Sequence, residues 1–140
     1  MEDAALIDDT VLAALHEATL IAVASRSAAR QPSIGPALAC RVSADRRTVQ
    51  LWLPRDAVGL LLTHILICGR IAVAVPTADS LLQLKGSDAR VTEPADDDLV
   101  WLAARSSKLQ TAGDLVAVCF TPDDIVWQAG RTGSISGTPA

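Results

Sequence analysis

Apolar residues along this chain recur with two periods, and each switch between them marks an element. Asp8 or Asp9 can cap a first helix in which Val11, Leu12 and Leu15 keep helical spacing, with an end near Glu17. The run 19–25, Thr-Leu-Ile-Ala-Val-Ala-Ser, is continuous and rich in β-formers, and 33–42 follows after a polar break too short for a helix. The two are predicted to pair. A second break at 43–47, rich in turn residues, leads into 48–53, where Val49, Leu51 and Leu53 alternate with Thr48, Gln50 and Trp52. That predicts a three-strand meander. Pro54 ends its last strand because it has no N–H for a ladder.

Residues 56–68 read as a helix, with Val58, Leu61, Leu62 and Ile65 at i, i+3, i+4 and i+7 and Gly69 as the stop. Leu60, Leu66 and Ile67 lie off that stripe, so this helix is expected to be covered on two sides. Strands at 71–75 and 81–91 come next, joined by Pro76-Thr77-Ala78-Asp79-Ser80. Pro94 and the acids Asp96, Asp97 and Asp98 announce another helix, running to about Gln110 and stopping before Gly113. Strands at 115–120 and 124–127 follow. Six or seven short antiparallel strands interrupted by helices, with no β-α-β alternation, predict a mainly β, α+β fold: a small barrel with short flanking helices. One domain is expected over 1–130, followed by a Gly/Ser-rich tail at 131–140.

A chain of 140 residues can bury about 70% of its unfolded surface. With 50% apolar and 20% charged residues it can build a real core. The net charge of −4, with no basic cluster beyond Arg46-Arg47, argues against nucleic acid as a partner. The acidic start Met1-Glu2-Asp3 and the short apolar run 20–24 suit neither a secretory signal nor a membrane span, so a cytoplasmic protein is expected. Cys40, Cys68 and Cys119 are scattered without a C-x-x-C pair and read as buried, reduced thiols.

Strand pair, polar turn, a strand ending Leu51-Trp52-Leu53-Pro54, helix, strand, hairpin and Gln83-Leu84-Lys85-Gly86 occupy residues 10–95 in that order. This order resembles the FMN-binding split barrels of the pyridoxamine 5'-phosphate oxidase-like superfamily. The resemblance implies an antiparallel split β-barrel that forms a homodimer, with FMN in a groove at the interface. It implies that main-chain atoms of 37–41 and of Trp52 and Leu53 hold the flavin ring. It also implies that the phosphate sits at the start of the next helix, by Arg55 and Ala57, and that Gln83 reaches the ring. The oxidase pattern has Ser-Arg-Lys at that turn, whereas this chain has one Arg followed by Asp56; Lys85, Arg70 or a second subunit would have to supply charge. Gln83 and Lys85 share one strand face, and a plain solvated face would look the same. No His follows His64, so pyridoxamine phosphate oxidation itself is not expected. The expected activity is a flavin-dependent oxidoreduction of an undetermined small-molecule substrate, with catalytic residues undetermined. A deazaflavin or haem ligand, or a dimeric binding module without cofactor, are the alternatives on the same fold.

Other motifs read as structural. His64 and Cys68 lie four apart on one helix, but two ligands are not a metal site, and a core thiol beside a satisfied histidine is expected. His16, at the end of the first helix, has no recognisable catalytic partner. Trp52, Trp101 and Trp127 read as core or interface anchors, with Trp52 alone also falling at the implied flavin contact. The segment Gly133-Ser134-Ile135-Ser136-Gly137 has Ile where a nucleophile elbow needs Ser, and neither a Rossmann nor a P-loop spacing occurs.

Overall fold

The computed structural model describes residues 7–105 and 114–128. Helix α1 (Asp9–Glu17) is capped by Asp8, whose carboxylate accepts from the Val11 amide at 2.9 Å, and it buries Val11 and Leu15. Strands β1 (Ile21–Arg26), β2 (Pro32–Ala37), β3 (Ala39–Val42) and β4 (Val49–Pro54) follow. A single 3-10 turn, Arg55–Ala57, leads into α2 (Gly59–Cys68), then β5 (Ile71–Pro76), β6 (Leu81–Gly86) and β7 (Arg90–Thr92). Helix α3 (Asp96–Arg105), β8 (Leu115–Phe120) and β9 (Asp124–Gln128) complete the described chain. The predicted end of α3 near Gln110, its stop at Gly113 and the tail 131–140 lie outside the described residues.

The strands form two antiparallel sheets, ordered β2-β1-β5-β6-β9 and β3-β4-β8-β7. Their inner faces meet in one core containing Val23, Leu51, Leu53, Val73, Leu84 and Phe120, all essentially without exposed surface. The α+β class and the antiparallel split architecture therefore stand, with nine strands among the described residues rather than six or seven.

The count rises because two predicted strands each divide. The run 33–42 breaks at Leu38, whose amide leaves the first sheet and donates to the Trp52 carbonyl at 2.8 Å. Before the break Ser33 and Ala37 face inward; after it the core residue is Cys40, so one inserted residue reverses the alternation. The meander is corrected on the same ground: β4 pairs with β3 and β8, not with β2. The run 81–91 likewise breaks after Gly86, and β7 joins the second sheet beside β8. The first crossing lies within the apolar stretch 37–40, whereas the second falls on Gly86-Ser87-Asp88, a turn signal inside a run otherwise of strand character.

Helix α2 lies against β1, β2 and β7 and closes one side of the gap between the sheets. It starts at Gly59, later than the predicted 56, and stops at Gly69, which adopts φ 71° and donates to the Ile65 carbonyl at 2.8 Å. A β-carbon at Gly69 would stand 2.9 Å from the Ser87 carbonyl oxygen. Gly69→Ala is expected to lower stability by about 1–2 kcal/mol, the cost of the left-handed conformation, seen as a lower urea midpoint at unchanged slope.

The three cysteines are free; Cys40 is buried, while Cys68 and Cys119 are only half-buried, which corrects the expectation that all three lie in the core. Burial pushes the Cys119 thiol up from its usual value. Among the described residues no helix is long and apolar enough to cross a membrane.

Candidate functional site

The residues singled out from sequence fall at three separate places. Trp52 and Leu53 lie on opposite faces of β4, both fully buried. Leu53 points into the main core, and Trp52 into a second cluster with Ala39, Leu102, Leu115 and Ala117 beneath α3. Their side chains are therefore closed to a ligand, and their main chain lies in the ladders with β3 and β8. On that outer face Arg41 lies against two neighbouring indoles, its guanidinium carbon 5.0 Å from the Trp52 ring centre and 4.9 Å from that of Trp101. The same guanidinium donates to Asp98 at 2.5 Å and to Gln50 at 2.9 Å. Burial pushes the Asp98 carboxyl up, but the Ala95 amide and Arg41 outweigh it and hold the carboxyl below its usual range.

Arg55 and Ala57 sit in the turn before α2. The guanidinium of Arg55 is already engaged: Nη2 donates to Glu93 at 2.6 Å and Nε to Asp114 at 2.8 Å. Its bond to Glu93, then that to Asp114, push its pKa further up, fixing the charge while neutralising it.

Gln83 and Lys85 project from the outer face of the first sheet, where Gln83 Oε1 accepts from Gln128 Nε2 at 2.9 Å. That acceptance leaves the Gln83 amide protons to donate elsewhere. Beside them Ala22 pairs with Ala74 and Ala24 with Ala72, making a shallow strip of small side chains. Pro54 is paired with Leu115 at one end of β8, whereas Gly86 packs on Phe120 at the other. The rise of a strand puts those ends about 17 Å apart, so one chain does not bring Arg55 and Lys85 together.

At the Lys85 end a cavity of about 540 Å³ opens between β1, β5 and β6, lined by Arg26, Arg30, Arg70 and Lys85. Sequence reasoning weighed Arg70 and Lys85 as sources of positive charge and missed Arg26 and Arg30. Their only signal was that they flank one hairpin turn.

His64 is buried and its Nδ1 stands 2.8 Å from Ser33 Oγ, the satisfied core histidine expected from sequence. Among the described residues no cluster of three potential metal ligands occurs.

Solved structures repeat this two-sheet arrangement. A candidate pyridoxamine 5'-phosphate oxidase of Lactobacillus delbrueckii superposes with a TM-score of 0.62 at 14% identity, covering 86% of this chain and 93% of that one. The fold is the pyridoxamine 5'-phosphate oxidase-like split barrel. Split barrels similar to this chain also include HupZ of Group A Streptococcus, with a TM-score of 0.63 at 19% identity over 90% of this chain and 99% of that one. An F420 reductase matches with a TM-score of 0.55 at 11% identity, covering 81% and 94%. No family model and no curated protein matches the split-barrel sequence.

Proposed function

We propose that two copies of this chain form a split-barrel dimer that binds a flavin-type cofactor, FMN in the first instance, and acts as a flavin-dependent oxidoreductase. The observation that carries this reading is the fold, whose solved examples include a candidate pyridoxamine 5'-phosphate oxidase and an F420 reductase. The dimer is supported by apolar surface: Leu60, Leu66 and Ile67 of α2 are 60%, 69% and 70% exposed. The alanine strip beside Gln83 is flat enough for close approach of a second copy. A dimer is also what would bring one copy's Gln83 and Lys85 near the other's Arg55 turn.

The donor set fits a flavin in part. The Gln83 amide and the Lys85 ammonium suit a polar ring edge, and the main chain of β3 and of Trp52 and Leu53 would flank the ring. The side chain of Arg55 does not fit the phosphate role, since both carboxylates occupy it; Arg55 and Ala57 would contribute through their main chain. A bound flavin would supply the hydride or electron chemistry, and these residues would orient it and set its field.

Purified protein mixed with FMN and passed through gel filtration is expected to keep the visible absorbance of oxidised flavin, and to sediment as a dimer at micromolar concentration. Arg55→Gln is expected to leave FMN affinity within about threefold while lowering stability, because the guanidinium serves Glu93 and Asp114 rather than phosphate. A colourless protein in the first experiment defeats the FMN reading. The F420 reductase likeness makes a deazaflavin the second reading, tested by the same titration with F420. Retention of haem, or of no cofactor, would replace both.

A further inference from the structure

We propose that the cavity beside the β1–β2 hairpin, centred on Arg26, Arg30 and Arg70, is a binding site for the phosphate group of a small ligand, distinct from the flavin position and sharing only Lys85 at its rim with the proposed flavin groove. Arg26 ends β1, Arg30 lies in the hairpin turn, Arg70 immediately precedes β5, and Lys85 is near the end of β6. They converge because β1, β5 and β6 are neighbours in the sheet and the hairpin folds back beside them. A second groove of about 400 Å³ shares Arg26, Arg30 and Arg70 with the first.

Three arginines elsewhere in the fold, Arg41, Arg46 and Arg55, each hold a carboxylate, whereas Arg47 and Arg90 hold none among the described residues and stand outside this cluster of cations. Among the described residues none of these four cations makes an ion pair. Asp123 and Asp124 also line the larger cavity, but Asp123 meets Ser87 Oγ at 3.5 Å and neither acid pairs with the cations. Four cations against two carboxylates in a concavity leave a local positive field on a chain whose net charge is −4. A phosphate group suits this better than a carboxylate, because three terminal oxygens can meet cations arriving from three elements. Ser27, lining the smaller groove, accepts the Gln31 amide at 3.0 Å and keeps its hydroxyl proton to donate.

The hairpin supplies a clean test. Arg30 adopts φ 66°, held by its amide on the Ser27 carbonyl at 2.9 Å, so glycine keeps the turn and removes the charge. Inorganic pyrophosphate titrated calorimetrically at low ionic strength is expected to bind the wild-type chain at one saturable site. The Arg30→Gly/Arg70→Gln variant should bind about tenfold more weakly or less, with flavin retention unchanged. Arg47→Gln, which removes an exposed charge elsewhere, should stay within about twofold. Absence of saturable pyrophosphate binding, equal weakening by Arg47→Gln, or displacement of FMN by pyrophosphate would each overturn a separate phosphate site. The pyrophosphate result decides the matter even if the chain retains no flavin.

Discussion

Replacing Trp52 with alanine is expected to destabilise the fold by about 3–5 kcal/mol, the usual cost of removing a buried indole whose surroundings collapse only in part. The ring has no exposed surface and lies with its centre 5.3 Å from that of Trp101, so the substitution opens the cluster that seats α3 on the second sheet. Trp52→Phe should cost far less. Nε1 of Trp52 is buried with no hydrogen-bond partner among the described residues, and phenylalanine deletes that unsatisfied donor while keeping most of the ring. Urea denaturation of the two variants checks both values. FMN titration of Trp52→Phe checks a third point: with the indole buried beneath α3, affinity should be unchanged.

Arg41→Met should cost about 2–3 kcal/mol at neutral pH, because it leaves the largely buried Asp98 carboxylate without its charged donor while the methionine stem still packs against the indoles. The pH dependence separates charge from packing. The folded carboxyl of Asp98 is held below its usual 3.8, so its contribution is complete above that value and is lost as pH falls through the folded pKa. In the variant, burial is opposed only by the Ala95 amide and Gln50, so the folded carboxyl stands higher than in the wild type and less stability is lost as acid is added. The stability gap between wild type and variant should therefore be widest near neutrality and narrow toward about pH 3. A gap that stays constant with pH would assign the loss to stacking on Trp52 and Trp101 instead.

The elements themselves are legible in the sequence because each is announced by its neighbours. Pro54 stops β4, Gly69 stops α2, and the acids at 96–98 open α3. The division into two sheets is not legible. Leu38 inserts one residue into the apolar stretch 37–40, where β3 is covered by the core on one side and by α3 on the other. Four successive apolar residues at the break itself carry no record of a reversed phase.

The candidate sites divide the same way. Lys85 and Gln83 could be seen in advance because a period of two places them on one face. The engagement of Arg55 could not, since its two carboxylates, Glu93 and Asp114, stand 38 and 59 residues further along the chain. The arginine pocket is hidden for a related reason: it is assembled from single residues of a hairpin, a helix end and a strand end.

The packing of Trp52 against Trp101, with Arg41 over both rings, also gives the molecule a built-in optical reporter. The chain has three tryptophans and no tyrosine, so nearly all of its near-ultraviolet signal comes from indoles. Two of them, tilted by 33° with centres 5.3 Å apart, are in contact only while α3 is seated. Excitonic coupling between those two indoles would then follow the docking of a single helix, and its decay ahead of the β-sheet signal would time that departure without any label.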